Sequence, residues 1–121
     1  MSDILIRGYN RFLYLMQDSR ALGAGATLQT PDSRVTGFRF VSVNFSASAG
    51  ATAAAGFPRV RLSRDGGVTF DSIYVIPLDG TQATPIWTQV VTIFSPYISV
   101  EFKDGGGGIA TLRSVVYCIP G

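Results

Sequence analysis

The chain has 121 residues and a mass of 12.9 kDa, which is one domain's worth of polypeptide and leaves no room for a second. Hydrophobic residues make up 46% of it but charged ones only 15%, with a net charge of +2, whereas an ordinary soluble domain carries about 25% charged residues. The complete lack of His removes the commonest general base and metal ligand, and a single Cys excludes an internal disulfide and a cysteine-rich zinc site.

In the N-terminal stretch Ile4, Leu5, Ile6, Tyr9, Phe12, Leu13, Tyr14, Leu15 and Met16 crowd large apolar groups together. Leu5, Tyr9, Phe12, Leu13 and Met16 fit a helical stripe, while Phe12, Tyr14 and Met16 fit a strand face, and Gly8 and Asn10 favour strands. The segment serves either as ordinary core or, over residues 1–17, as a strand that docks on a neighbouring subunit. Arg7 and Arg11 interrupt it, so neither a signal peptide nor a membrane-spanning helix is expected.

From Val35 onward, short runs of β-branched and aromatic residues alternate with Gly, Pro, Asp and Ser, the pattern of strands and turns. Strands are expected over Phe38–Ala47, Phe57–Ser63, Thr69–Ile76, Ile86–Phe94, Tyr97–Lys103 and Thr111–Ile119. In Tyr97–Lys103, Ile98, Val100 and Phe102 alternate with Tyr97, Ser99, Glu101 and Lys103, predicting one buried and one solvated face. In Phe57–Ser63, Val60 and Leu62 face one way and Arg59 and Arg61 the other, as a local basic patch. Apolar residues switch parity at Phe40–Val41 and Val90–Val91, which bulges or burial on both faces would explain. Asp65-Gly66, Asp79-Gly80 and Asp104-Gly105 supply turn residues. Gly105–Gly108 reads as a flexible tip or a close backbone contact to a neighbour, and Ser46–Gly56, almost all tiny side chains, as a long loop or an arm laid on another surface.

These elements predict an all-β fold, an antiparallel β-sandwich with jelly-roll connectivity among its options and a small barrel as the alternative. Within them, Ser63-Arg64-Asp65-Gly66-Gly67-Val68-Thr69-Phe70 resembles the Asp box, the S-x-D-x-G-x-T-W turn repeated in sialidases and other β-propellers, with Phe70 in place of Trp. The resemblance spans eight residues of 121. It implies a braced hairpin, with the Asp and the hydroxyls tying down the turn and the aromatic packed beneath. It implies no catalysis, since a propeller needs several blades.

The carboxylates Asp3, Asp18, Asp32, Asp65, Asp71, Asp79, Glu101 and Asp104 are the acid-base candidates, but most fall in expected turns, where Asp bonds its own backbone. No catalytic residue, metal site or cofactor is expected. Cys118, in an apolar run and without a His to activate it, reads as a buried thiol. The ten basic residues, nine of them Arg, are scattered, so no nucleic-acid stripe is expected; they suit partly desolvated interfaces instead. Low charge, the apolar N-terminus, the small-residue arm and the arginines point to a non-enzymatic subunit of a larger assembly. Its contacts with other copies or a partner protein would be Ile4, Leu5, Ile6, Tyr9, Phe12 and Tyr14, with Arg59, Arg61 and Arg64 as polar clamps. In size and composition the chain resembles small β-rich virion proteins of tailed bacteriophages, such as capsid decoration or cement proteins and tail or fibre components, and the resemblance implies a place in the virion. The alternative is a carbohydrate-binding module or adhesin, with Trp87, Tyr74 and Tyr97 as sugar-stacking platforms, whereas core packing is the first reading of each of these three aromatics.

Overall fold

A computed structural model describes residues 12–48, 56–76 and 85–120 of the chain. It is all-β, with strands β1 (Leu13–Leu22), β2 (Thr27–Gln29), β3 (Ser33–Arg34), β4 (Phe38–Ala47), β5 (Gly56–Ser63), β6 (Ser72–Val75), β7 (Ile86–Thr92), β8 (Tyr97–Asp104) and β9 (Ile109–Pro120). One sheet has the order β1-β9-β4-β7, and the other β2-β8-β5-β6 with β3 also on β8.

β2 and β3 pair with successive stretches of β8, Thr27 to Gln29 opposite Lys103 to Glu101 and Ser33 and Arg34 opposite Ile98 and Tyr97. They act as one edge strand interrupted at Pro31, where no amide is available for a ladder hydrogen bond. With those two counted as one, the antiparallel pairs β1·β9, β2/β3·β8, β4·β7 and β5·β6 are the paired halves of one long hairpin. Rolled up so that β9 also pairs β4 and β8 also pairs β5, that hairpin is a jelly roll. The sequence Ser63–Phe70 lies at its tip, between β5 and β6.

The core lies between the sheets. Val41, Val43 and Phe45 of β4 and Leu112, Val116 and Cys118 of β9 meet Val60 and Leu62 of β5 and Ile98, Val100 and Phe102 of β8, all buried. The Phe102 ring stands 4.9 Å from Trp87, edge-on, and 5.3 Å from Phe45, joining the two sheets through three aromatic rings. Cys118 is buried among them, and burial pushes its thiol up to about 11, which keeps it protonated and unreactive.

Several details depart from the sequence reading. The alternation in β8 does not leave a solvated face: Ser99 and Glu101 are buried, because side chains from β5 lie across them. At Phe40–Val41 the register runs unbroken, with Val41 in the core and Phe40 half-buried on the outer face; the bulge against β9 comes just before, between Phe38 and Phe40. At Val90 the register with β4 runs unbroken and Val90 is exposed, so neither a bulge nor a second buried face is involved. The strand expected from Thr69 begins only at Ser72, because the turn before it extends through Phe70. Residues 13–17, part of the expected docking segment, belong to this chain's own sheet as the start of β1. Residues 1–11, Asp79-Gly80 and most of the Ser46–Gly56 arm, 49–55, lie outside the described residues. The tip Gly105–Gly108 is tied down, its Gly106 and Gly108 N–H groups each 2.9 Å from Asp104 Oδ2.

Candidate functional site

The turn between β5 and β6 carries the bracing an Asp box implies. The Ser63 hydroxyl donates to Asp65 Oδ1 (2.8 Å) and accepts from the Gly67 N–H (2.9 Å). Asp65 also accepts from the Thr69 N–H (2.9 Å) and from the Thr69 hydroxyl. Gly66 and Gly67 take φ of 76° and 97°, which glycine adopts without steric penalty. Phe70 closes the motif beneath the Arg61 guanidinium, 4.5 Å from ring centre to Cζ. The hydrogen bonds from Thr69 and Ser63 hold the Asp65 carboxyl down at about 2, against 3.8 for the free side chain. A group whose pKa is lower folded than unfolded stabilises the fold fully above pH about 4, and loses that contribution as the pH falls towards 2. Asp65→Asn is therefore expected to lower Tm at neutral pH and to make the fall of Tm between pH 4 and pH 2 shallower than in the wild type. Thermal melts across that range read this directly, and superimposable acid limbs would contradict it.

Most of the other described carboxylates are similarly committed. Asp18 pairs with Arg20, which together with the Ser19 N–H keeps its carboxyl below the usual range. Asp71 accepts from Arg64 Nε (2.9 Å) and from the Ser95 hydroxyl (3.0 Å). Asp32 lies against Gly67. For Asp104, burial opposes ionisation, but the N–H groups of Gly25, Gly106 and Gly108 outweigh it and hold the carboxyl below its ordinary value. Asp3 and Asp79 lie outside the described residues, and no cluster of metal-ligating side chains occurs among those described.

Of the expected interface residues, Ile4, Leu5, Ile6 and Tyr9 lie outside the described residues. Phe12 and Tyr14 are exposed, Tyr14 by 52%, and both rings stand 5.3 Å from Tyr117 on the outer face of the first sheet. The arginines are engaged within the chain. Arg59 pairs with Glu101 through Nε, and Arg61 Nη2 lies 3.9 Å from the same carboxylate and 3.0 Å from the Ser99 hydroxyl. Arg64 holds Asp71. The Arg59 and Arg61 pair is thus a cover over Glu101 and not a free basic patch.

The three aromatic platforms separate. Trp87 is 1% exposed and belongs to the core, so it offers no face to a sugar. The Tyr74 hydroxyl accepts from Gln89 Nε2 (2.6 Å), closing the gap between the edge strands β6 and β7. Tyr97 is half-buried, with the Arg34 guanidinium 5.8 Å above its ring.

The prominent surface feature that the sequence reading missed is the β6 edge. β6 pairs only with β5 among the described strands, and Ile73 and Val75, at 51% and 55% exposure, lie on the outer side beside Arg61 and Arg59. In the other sheet, Val90 on the outer face of β7 and Phe94 just beyond it are exposed as well. The available signal was the alternation Ile73, Val75 opposite Arg61, Arg59 across a hairpin, readable only once the register is known. No protein-family model matches this chain, and no curated protein is significantly similar to it.

Proposed function

We propose that the chain is a non-enzymatic structural subunit of a larger assembly, of the virion decoration, cement or other capsid or tail kind, and that it assembles with further copies of itself through the β6 edge. The observation that carries this reading is the β6 edge, unpaired on its outer side among the described residues and bearing exposed Ile73 and Val75. An apolar edge is a template for strand pairing, and proteins that remain monomeric blunt such edges with Lys, Pro or a covering loop. The jelly roll supports the reading by analogy only, since viral capsid domains use it and so do lectins. Its place would be the virion, after synthesis in the host cytoplasm.

Substituting Ile73→Lys and Val75→Lys together puts two charges on the edge without touching the core. The doubly substituted chain is expected to run as a monomer with an unchanged circular dichroism spectrum and Tm, while the wild type runs as a multimer. A variant that remains as multimeric as the wild type would remove the β6 edge from the assembly contact.

A further inference from the structure

The outer face of the first sheet holds an open groove of about 670 Å³, within the range of small-ligand sites. It lies on the other sheet from the β6 edge and is made of two cross-strand rows. One runs Ser19, Arg113, Ser46, Ile86 from β1 through β9 and β4 to β7; the next runs Gln17, Val115, Asn44, Thr88. Its floor is polar and fixed. Asn44 donates through Nδ2 to the Val115 carbonyl (3.1 Å) and the Ser42 hydroxyl (3.0 Å), and its Oδ1 accepts from the Thr88 hydroxyl (2.7 Å).

One full charge in the groove is left over. Arg113 makes no ion pair among the described residues, and the carboxylate that also lines the groove, Asp18, is taken by Arg20. A planar guanidinium among hydroxyls and an amide matches a carboxylate carried on a polyhydroxylated ligand, which it can grip through two parallel hydrogen bonds. The third row of the same face supplies an aromatic surface: Tyr14 stands opposite Tyr117 with ring centres 5.3 Å apart and planes tilted by 35°, and Phe12 adds a third ring, 5.3 Å from Tyr117. From Tyr117 to Arg113 is four residues along β9, about 13 Å of strand, so the aromatic surface and the cation can engage different rings of one short chain.

The geometry points to this face as a binding site for an acidic oligosaccharide, with a pyranose ring packed against Tyr14 and Tyr117 and a uronate carboxylate held by Arg113. The site needs none of the three aromatics that the sequence suggested for sugar stacking, and it stands whether or not the β6 edge assembles.

The test is calorimetric titration of the full chain with a galacturonic acid trimer and with its methyl ester, the same sugar without the charge. The acid is expected to bind at least tenfold more tightly than the ester. Arg113→Gln should abolish that difference with Tm unchanged, and Tyr117→Ala should weaken both ligands by a similar factor. Arg39→Gln, an exposed cation outside the groove, should leave both affinities as they are. Equal binding of acid and ester, absence of binding by either, or an equal loss from Arg39→Gln and Arg113→Gln would overturn the proposal.

Discussion

Phe102→Ala is expected to lower the stability of the fold by about 3–5 kcal/mol, the usual loss when a buried aromatic becomes a cavity. Phe102 is fully buried in β8, and its ring touches Phe45 and Trp87 of the opposite sheet. The truncation therefore removes the contact that holds the sheets together, and the lost edge-to-face packing adds to the lost burial. Against a total of roughly 5–15 kcal/mol for a domain, the variant is left close to unfolding. Trp87 is the chain's one tryptophan and is buried beside the mutated site, so its fluorescence follows urea unfolding without added labels. With a typical slope of about 2 kcal/mol per molar urea, the midpoint should fall by about 2 M. A midpoint within a few tenths molar of the wild type would mean that the ring is not the keystone described here.

Glu101→Ala should cost nearly as much, for a different reason. The Glu101 side chain is 6% exposed and sits under Arg59 and Arg61, whose side chains are 34% and 15% exposed. Removing one partner of a buried ion pair leaves the other charge desolvated and uncompensated, a loss of 3–5 kcal/mol when both are fully buried. The partial exposure of the arginines lets water compensate some of it, so about 2–3 kcal/mol is expected. Replacing Arg59 and Arg61 by Leu in the same chain should recover most of the loss, because the three groups then leave together. The difference between the single and triple variants in urea midpoints measures the coupling; equal destabilisation would show that the triad contributes shape and not charge. Arg59→Ala with Arg61→Ala strands the Glu101 carboxylate in the same way, so that double variant reads the fold before it reads any assembly.

These two sites also mark the boundary of what the sequence discloses. Alternation located β4, β5, β8 and β9 because each is a long strand with one face on the core, where period two is enforced by burial. It also placed Arg59 and Arg61 on the far side of β5. What it could not supply was Glu101, whose partnership with Arg59 spans 42 residues and exists only because β5 and β8 are neighbours. For the same reason Glu101 and Ser99 read as solvated: local alternation distinguishes the two faces of a strand but not what a neighbouring strand lays over the outer one. β2 and β3, three and two residues long, are too short to show any period, and Pro31 divides them.

Trp87 could be read as core or as a sugar platform, because a lone large aromatic in an apolar strand has the same local signature whether it points in or out; its burial decides for the core. The groove was invisible for a further reason. Its two rows draw residues from β1, β9, β4 and β7, strands far apart in sequence, and no local stretch contains more than two of them. The Asp-box turn is the opposite case: all its hydrogen bonds close within Ser63–Phe70, so the local sequence specifies the geometry almost completely.

The claim that this chain builds an assembly is tested most directly by the mass of the protein in solution, from light scattering on a gel-filtration column over a concentration series. A subunit of this kind is expected as a multimer of the 12.9 kDa chain that is stable on dilution. A monomer at every concentration would contradict it.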